Sequence, residues 1–369
     1  MSSASSKTTM QAIHIPKWLP QDTGYPSLKP TTQPVPSPSP TNLLIAITHS
    51  SLNHVDLLYS RGLHQNNASG LVKPPFNLGL EFSGVVAALP TDAKAASTCG
   101  FAVGDRVWGG CVGSFAEYAS VPPSAVRKVP NGTSLLDAAG LGAGSPTVSY
   151  GALILCGGVK KGDLVLVHAA AGGLGAPAVQ IAYAKGAKVI ATVGSEEKAK
   201  VVRSEMGEMV LGVVNYEVEG WEKEVVKIAK KEGKEGVDLV YDTVGLVLSS
   251  IRCVRFDGAI VIAGFAGRKG KMETVAMNRI LLKNVRVLGY RYGESGRRDP
   301  DHTAECWRGT EELLAKGQMK PLIYRVLHGL DSVGEGLQEL YERKVWGKAV
   351  VEIRKEEDVL REVTAKPKL

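Results

Sequence analysis

Residues 164–175 carry the densest chemical signal in the chain. Leu164-Val-Leu-Val-His168 is an apolar run of strand type, and it passes into Ala170-Ala171-Gly172-Gly173-Leu174-Gly175 and then a helix-type stretch over 177–185. The spacing is G-x-G-x-x-G with Ala170 at the first glycine position. A turn of this kind is built for a pyrophosphate. Glycine at 172 lets backbone approach the phosphates, glycine at 175 lets the helix pack on the strand, and the helix start offers free N–H groups and a positive dipole end. Pro177 fits the first helical turn, where its missing donor costs nothing.

The second strand, Lys188-Val-Ile-Ala-Thr-Val193, bears on which dinucleotide is held. A site for NAD places an acidic residue about 20 residues beyond the glycines, on the ribose hydroxyls. Here stand Val193, Gly194 and Ser195, with Lys198 one turn on. No carboxylate repels a phosphate there, and Ser195 and Lys198 can donate to one, so NADPH is expected. The opposing reading takes Glu196, Glu197 and Lys198 as a solvated helix start. Two later turns, Asp242-Thr-Val-Gly245 and Gly264-Phe265-Ala-Gly267, close strand-type runs and are expected to give backbone contacts on the nicotinamide side; ordinary turns are the alternative.

These residues need elements to hold them. At 369 residues the chain suits two cores. From residue 164 onward, β-branched runs alternate with helical stretches, which predicts a doubly wound parallel sheet. Before about residue 140 the chain is short β segments punctuated by Gly and Pro, which predicts a small β-rich barrel-like domain. Prolines at 30, 34, 36, 38 and 40 look like a linker, but strand-type runs on both sides make them a long β-connection within that domain. An amphipathic helix near 333–343 and a strand at 349–353 are expected to rejoin it.

A charged fraction of 22% with 44% hydrophobic residues is that of an ordinary globular protein, and no apolar run suits a membrane span. The net charge of +7 is spread along the chain, which argues against a nucleic-acid partner. Five cysteines without a Cys-x-x-Cys pair read as reduced thiols in a cytoplasmic setting. The start, 1–10, reads as a disordered tail, and Pro367-Lys368-Leu369 is close to a peroxisomal Ser-Lys-Leu address but for its Pro.

With these residues in hand, the sequence resembles the medium-chain dehydrogenase/reductase superfamily and, within it, the zinc-independent NADPH:quinone oxidoreductase branch. The carriers run in order: Asn53-His-Val-Asp56 with Arg61-Gly62, Gly79-Leu-Glu-Phe-Ser-Gly84, Val103-Gly-Asp-Arg-Val107, Gly113-Ser-Phe-Ala-Glu-Tyr118, His168 to Gly175, Val214-Asn-Tyr216, Tyr241-Asp-Thr-Val-Gly245 and Leu282-Lys-Asn284. The resemblance implies a GroES-like barrel domain (1–144 and 290–369) and a Rossmann domain (145–289). It implies further that Asn53 lies beside the nicotinamide, that Ala171, Gly172, Gly173 and Leu174 hold the pyrophosphate, and that Ser195, Lys198 and Tyr216 hold the 2′-phosphate. Lys348 matches a basic residue near the cofactor. Relatives that use catalytic zinc bind it through Cys and His; Asn53 and Leu80 occupy those positions here, so no metal is expected. His54 beside Asp56 reads as a surface or core-satisfied histidine. Leu58 and Val148 stand where well-known members carry tyrosine and threonine, which makes the expected pocket more apolar.

The chemistry implied is hydride transfer from NADPH to a conjugated carbonyl such as a quinone, bound between the domains, with the product anion protonated by water. Two alternatives stay open. One is a 2-alkenal or enoyl double-bond reductase, for which Tyr59, Tyr150 and Tyr290 are candidate proton donors against the plainer reading of core aromatics; the other is a non-catalytic NADPH-binding protein. Family members commonly dimerise through their Rossmann sheets, and 285–288 is an apolar edge suited to a homodimer.

Overall fold

A computed structural model of the chain describes residues 8–267 and 273–365. The first seven residues, most of the stretch read as a tail, and the Pro367-Lys-Leu369 address lie outside the described residues. Two compact units form, 1–144 with 323–369, and 145–322.

The first unit is built on a mainly antiparallel seven-stranded sheet. Its order is Ile323–His328, Lys348–Glu352, Leu43–Ser51, Glu81–Ala88, Arg106–Gly110 and Val126–Lys128, with Tyr118–Val121 also paired to Leu43–Ser51. Leu43–Ser51 is buried along its whole length, because Leu43, Ile45 and Ile47 pack with Phe82, Val86 and Val107 while its polar end closes on neighbouring strands. The proline-rich stretch belongs to this unit, since Thr31–Pro34 pairs with Thr9–Ala12. Proline cannot donate to a ladder, so a two-stranded ribbon suits it.

In the second unit six parallel strands carry the fold: β1 Leu164–Val167, β2 Lys188–Val193, β3 Val210–Asn215, β4 Val237–Asp242, β5 Val254–Ile262 and β6 Arg286–Gly289. Their order is β3-β2-β1-β4-β5-β6, which reverses direction beside β1. In such sheets ligands lie at the carboxyl ends of the strands next to that reversal. β1 is buried on both faces, which is why its sequence is a continuous apolar run rather than an alternating one. Its helices include α1 Gly175–Ala184, α2 Glu196–Met206, α3 Trp221–Lys231, α4 Val247–Cys253, α5 Met277–Lys283 and α6 Pro300–Ala315. In α3, Trp221, Val225 and Ala229 recur at helical spacing and pack with Leu166, Val240 and Ile251, while Lys223, Lys227 and Lys230 face water.

The boundary differs from the expected one at residue 290. Residues 290–322 belong with the parallel sheet. The Tyr290 N–H continues from β6 onto the Ile262 carbonyl (2.9 Å), and the Tyr290 hydroxyl meets His302 Nε2 of α6 at 2.8 Å. Further on, Lys320 N donates to Gln180 Oε1 of α1 (2.7 Å), and Gln180 Nε2 donates back to the Lys320 carbonyl (3.1 Å). These tertiary bonds leave no periodic trace, so the chain's return begins only at Ile323. Among the described residues no helix is long and apolar enough to cross a membrane. All five cysteines are free thiols.

Candidate functional site

The glycine turn lies between the carboxyl end of β1 and α1, where the spacing placed it. Ala169 turns the chain with a positive φ of 50°, a conformation that costs an alanine roughly 1–2 kcal/mol. Its carbonyl then lies against the helix start, so a Cβ on Gly175 would sit 2.1 Å from that oxygen and one on Gly172 at 3.1 Å. Glycine at 175 is therefore a packing requirement. In the first turn of α1 the Ala176 and Ala178 N–H groups bond to the Gly172 and Leu174 carbonyls (2.9 and 3.2 Å) and Pro177 carries no N–H, so a pyrophosphate would take its donors from the glycine turn itself, at the positive end of the helix. Ala171, Gly172, Gly173 and Leu174 all lie in this turn.

Ser195 caps α2, its Oγ accepting the Lys198 N–H at 3.3 Å. Tyr216 follows β3 and bonds through its N–H to the Val193 carbonyl (2.9 Å). Its ring covers Gly194, where a Cβ would meet the phenol oxygen at 2.8 Å. Ser195, Lys198 and Tyr216 are thus brought to the ends of neighbouring strands. After β4, the buried Asp242 carboxylate accepts the N–H groups of Val244 (2.8 Å), Gly245 (2.8 Å) and Leu246 (2.7 Å), which fixes that turn. Gly264 and the exposed Phe265 follow β5. The predicted cofactor residues of this unit stand in the turns that follow the carboxyl ends of parallel strands, with Lys198 in the first turn of α2. These features fit a dinucleotide with a 2′-phosphate: a glycine-rich turn at a helix start, a hydroxyl cap and no carboxylate at residue 195.

Asn53 and Lys348 stand together in the other unit, around a residue not singled out by spacing, Glu81. Glu81 Oε2 accepts Lys348 Nζ (2.9 Å), Ser51 Oγ (2.9 Å) and Asn53 Nδ2 (3.1 Å), and Oε1 accepts the Gly144 N–H (2.7 Å). Burial alone would raise its pKa, but the Lys348 ammonium and these donors hold the carboxyl below the usual range. Lys348 Nζ also donates to Asn53 Oδ1, and Asn53 Nδ2 donates to the Ser51 carbonyl (3.1 Å). Asp56 caps the helix His54–Ser60, its Oδ2 accepting the Asn53 N–H at 2.7 Å. Its other oxygen is buried without a hydrogen-bond partner, and burial pushes the carboxyl up to about 8. A carboxylate between Leu80 and Phe82 in an apolar strand was the available signal for Glu81, since a buried charge demands a partner.

A zinc ion does not fit this cluster. Asn53 offers an amide, Leu80 packs against hydrophobic neighbours, and the ammonium of Lys348 already supplies the positive charge. Among the described residues no group of three or more His, Cys, Asp or Glu is placed to hold a metal. His54 is exposed. The candidate tyrosines have other engagements. Tyr59 OH accepts Asn66 Nδ2 at 2.6 Å, Tyr290 OH meets His302, and Lys185 Nζ lies 5.2 Å from the ring centre of Tyr150. A shallow cavity of about 520 Å³ on α3, with Arg252 of α4, includes no residue of the glycine turn.

Comparison with known proteins agrees with this arrangement. Residues 39–131 match the family described as alcohol dehydrogenase GroES-like domain, and residues 173–308 match the family described as zinc-binding dehydrogenase, a span that passes residue 290 as the second unit does. The chain is 32% identical to quinone oxidoreductase-like protein 2 of Mus musculus, over 85% of this chain and 86% of that protein. It is 32% identical to prostaglandin reductase-3 of Bos taurus, over 87% and 83%. A mycobacterial protein solved in complex with NADPH superposes with a TM-score of 0.79 at 26% identity, over 93% of this chain and 99% of that one.

Proposed function

We propose that this chain, which belongs to the medium-chain dehydrogenase/reductase superfamily in its zinc-independent quinone oxidoreductase-like branch and is an NADPH-dependent oxidoreductase, reduces a quinone or a similar conjugated carbonyl. NADPH, when bound, supplies the hydride. The glycine turn and the α1 start bind the pyrophosphate, while Ser195, Lys198 and Tyr216 hold the 2′-phosphate. Gly245, Gly264 and Phe265 bound the nicotinamide side. Asn53, held by Lys348 and Glu81, serves the reacting end.

One observation favours a quinone over an enone. A quinone's reduced anion takes its proton from water, whereas an enolate gains from a donor at its oxygen. Of the three candidate donors, the Tyr290 hydroxyl is engaged with His302 and Tyr150 is buried against Gly309 in the second unit, while the Tyr59 hydroxyl accepts from Asn66 in the first. The likeness to prostaglandin reductase-3 keeps carbon–carbon double-bond reduction as the second reading.

The assay follows NADPH oxidation by purified protein with para-benzoquinone or a 2-alkenal, with and without chelator. Chelator-insensitive turnover with the quinone supports the proposal. Turnover with the alkenal alone moves the acceptor to the second reading.

The assembly read from the second unit is a homodimer. β6 ends the sheet, and beside it α5 exposes Met277, Leu281 and Leu282 by 76%, 77% and 71%. Five free thiols favour a cytoplasmic setting.

A further inference from the structure

His168, the last residue before the glycine turn, has no part in the proposed chemistry, yet it is fully buried where four elements meet. Its Nε2 lies 2.9 Å from Ser250 Oγ of α4, and its Nδ1 lies 2.7 Å from Thr192 Oγ1 of β2. The network fixes the tautomer. Ser250 Oγ donates to the Leu246 carbonyl at 2.7 Å, so its proton is already directed and Nε2 must be the donor. Nδ1 is then left to accept from Thr192. Burial holds the imidazole below its usual range, with Asp242 acting in the opposite direction, and the neutral ring agrees with this assignment.

The imidazole ring also has two aromatic neighbours set nearly perpendicular to it. Trp221 at the start of α3 and Tyr216 after β3 meet it edge-on, at centroid separations of 5.3 and 6.4 Å and interplanar angles of 85° and 88°. Tyr216 is the ring that covers Gly194 beside Ser195. Thr192, two residues before Gly194, takes the Ala170 N–H on its carbonyl (2.9 Å). One imidazole therefore holds Thr192 by a hydrogen bond and Tyr216 by a T-shaped ring contact, and the Thr192 carbonyl in turn ties the glycine turn to the end of β2. An apolar side chain of similar size would fill the space but could not orient either one.

We infer that His168 is a positioning residue for cofactor selectivity, holding Tyr216 and the end of β2 in the arrangement that receives the 2′-phosphate. The inference rests on the reading that Ser195 and Tyr216 contact that phosphate. NADH has no such group, so the loss of His168 should fall on NADPH.

The experiment measures the dissociation constants of NADPH and NADH by nucleotide fluorescence for the full chain and for His168→Leu, His168→Gln, Thr192→Val and Tyr216→Ala. His168→Leu should weaken NADPH roughly ten-fold, as expected for a lost buried hydrogen bond, and NADH less than two-fold. His168→Gln, which keeps an amide donor and acceptor, should recover part of the loss. Thr192→Val retains shape, removes only the Nδ1 partner, and should shift NADPH in the same direction; it carries the test if His168→Leu does not fold. Equal weakening of both nucleotides, or no change, overturns the inference. NADPH binding unchanged in Tyr216→Ala overturns the phosphate assignment itself, whereas weakening in Tyr216→Ala with none in the His168 and Thr192 variants overturns only the role of His168.

Discussion

Lys348 Nζ lies 2.9 Å from Glu81 Oε2, with 4% and 8% of the two side chains exposed. Charges so enclosed depend on each other, because removing one leaves the other in a medium that cannot solvate it. Lys348→Met should therefore destabilise the protein by about 3–5 kcal/mol, and the double change Lys348→Met with Glu81→Gln should regain much of it. Urea unfolding of the original protein, of each single variant (Lys348→Met and Glu81→Gln) and of the double variant checks this. A single variant as stable as the original would show that the pair is not needed.

Asp56 predicts a pH dependence of the opposite kind from an ordinary paired carboxylate. Its folded value is raised from 3.8 to about 8 by burial, so the native state holds a proton that the unfolded chain releases. Stability should fall as pH rises through the window between those values, by at most about 1.4 kcal/mol per unit, and level off above it. Asp56→Asn puts an amide where the protonated carboxyl stood and should flatten this dependence. Thermal unfolding at about pH 4 and pH 8, close to the ends of the window, should give the variant the advantage only at the higher pH. The same decline in both proteins would assign the effect elsewhere.

Much of the second unit was legible because parallel strands covered on both faces are written as continuous apolar runs: 188–193 is observed without shift, and 164–168 differs by one residue. The glycine turn was legible for a related reason, since Gly175 is imposed by contact with the Ala169 carbonyl. Long-range bonds were not legible. Nothing in the local pattern around Gln180 announces Lys320, and nothing around Asn53 announces Lys348, 295 positions away, as its partner. Resemblance pointed to Asn53 and Lys348 separately, and only the fold places them on one carboxylate.

Ser195 permits a substitution that separates recognition from folding. Its Oγ caps α2, and aspartate caps a helix about as well as serine. Ser195→Asp should leave the melting temperature within a degree or so while placing a carboxylate where the 2′-phosphate is proposed to bind. The KM for NADPH should rise by about ten-fold or more, with little change for NADH. Steady-state kinetics with both nucleotides checks it, and an unchanged ratio would remove Ser195 from the phosphate site.

The homodimer reading makes a prediction at α5. Leu281 is 77% exposed in the isolated chain, so Leu281→Glu costs the monomer almost no packing. In a dimer that covers α5 and continues the sheet from β6, the same change would bury a carboxylate in an apolar contact and forfeit about 1.5–3 kcal/mol of leucine burial as well. Sedimentation equilibrium should therefore find the original protein dimeric at micromolar concentration and the variant largely monomeric, with dissociation at least roughly ten-fold easier. Unfolding of the dissociated chains should match, because the side chain supports no intramolecular core. A monomeric original protein would leave β6 as a free edge and withdraw the reading. A dimer unaffected by Leu281→Glu would move the interface away from α5.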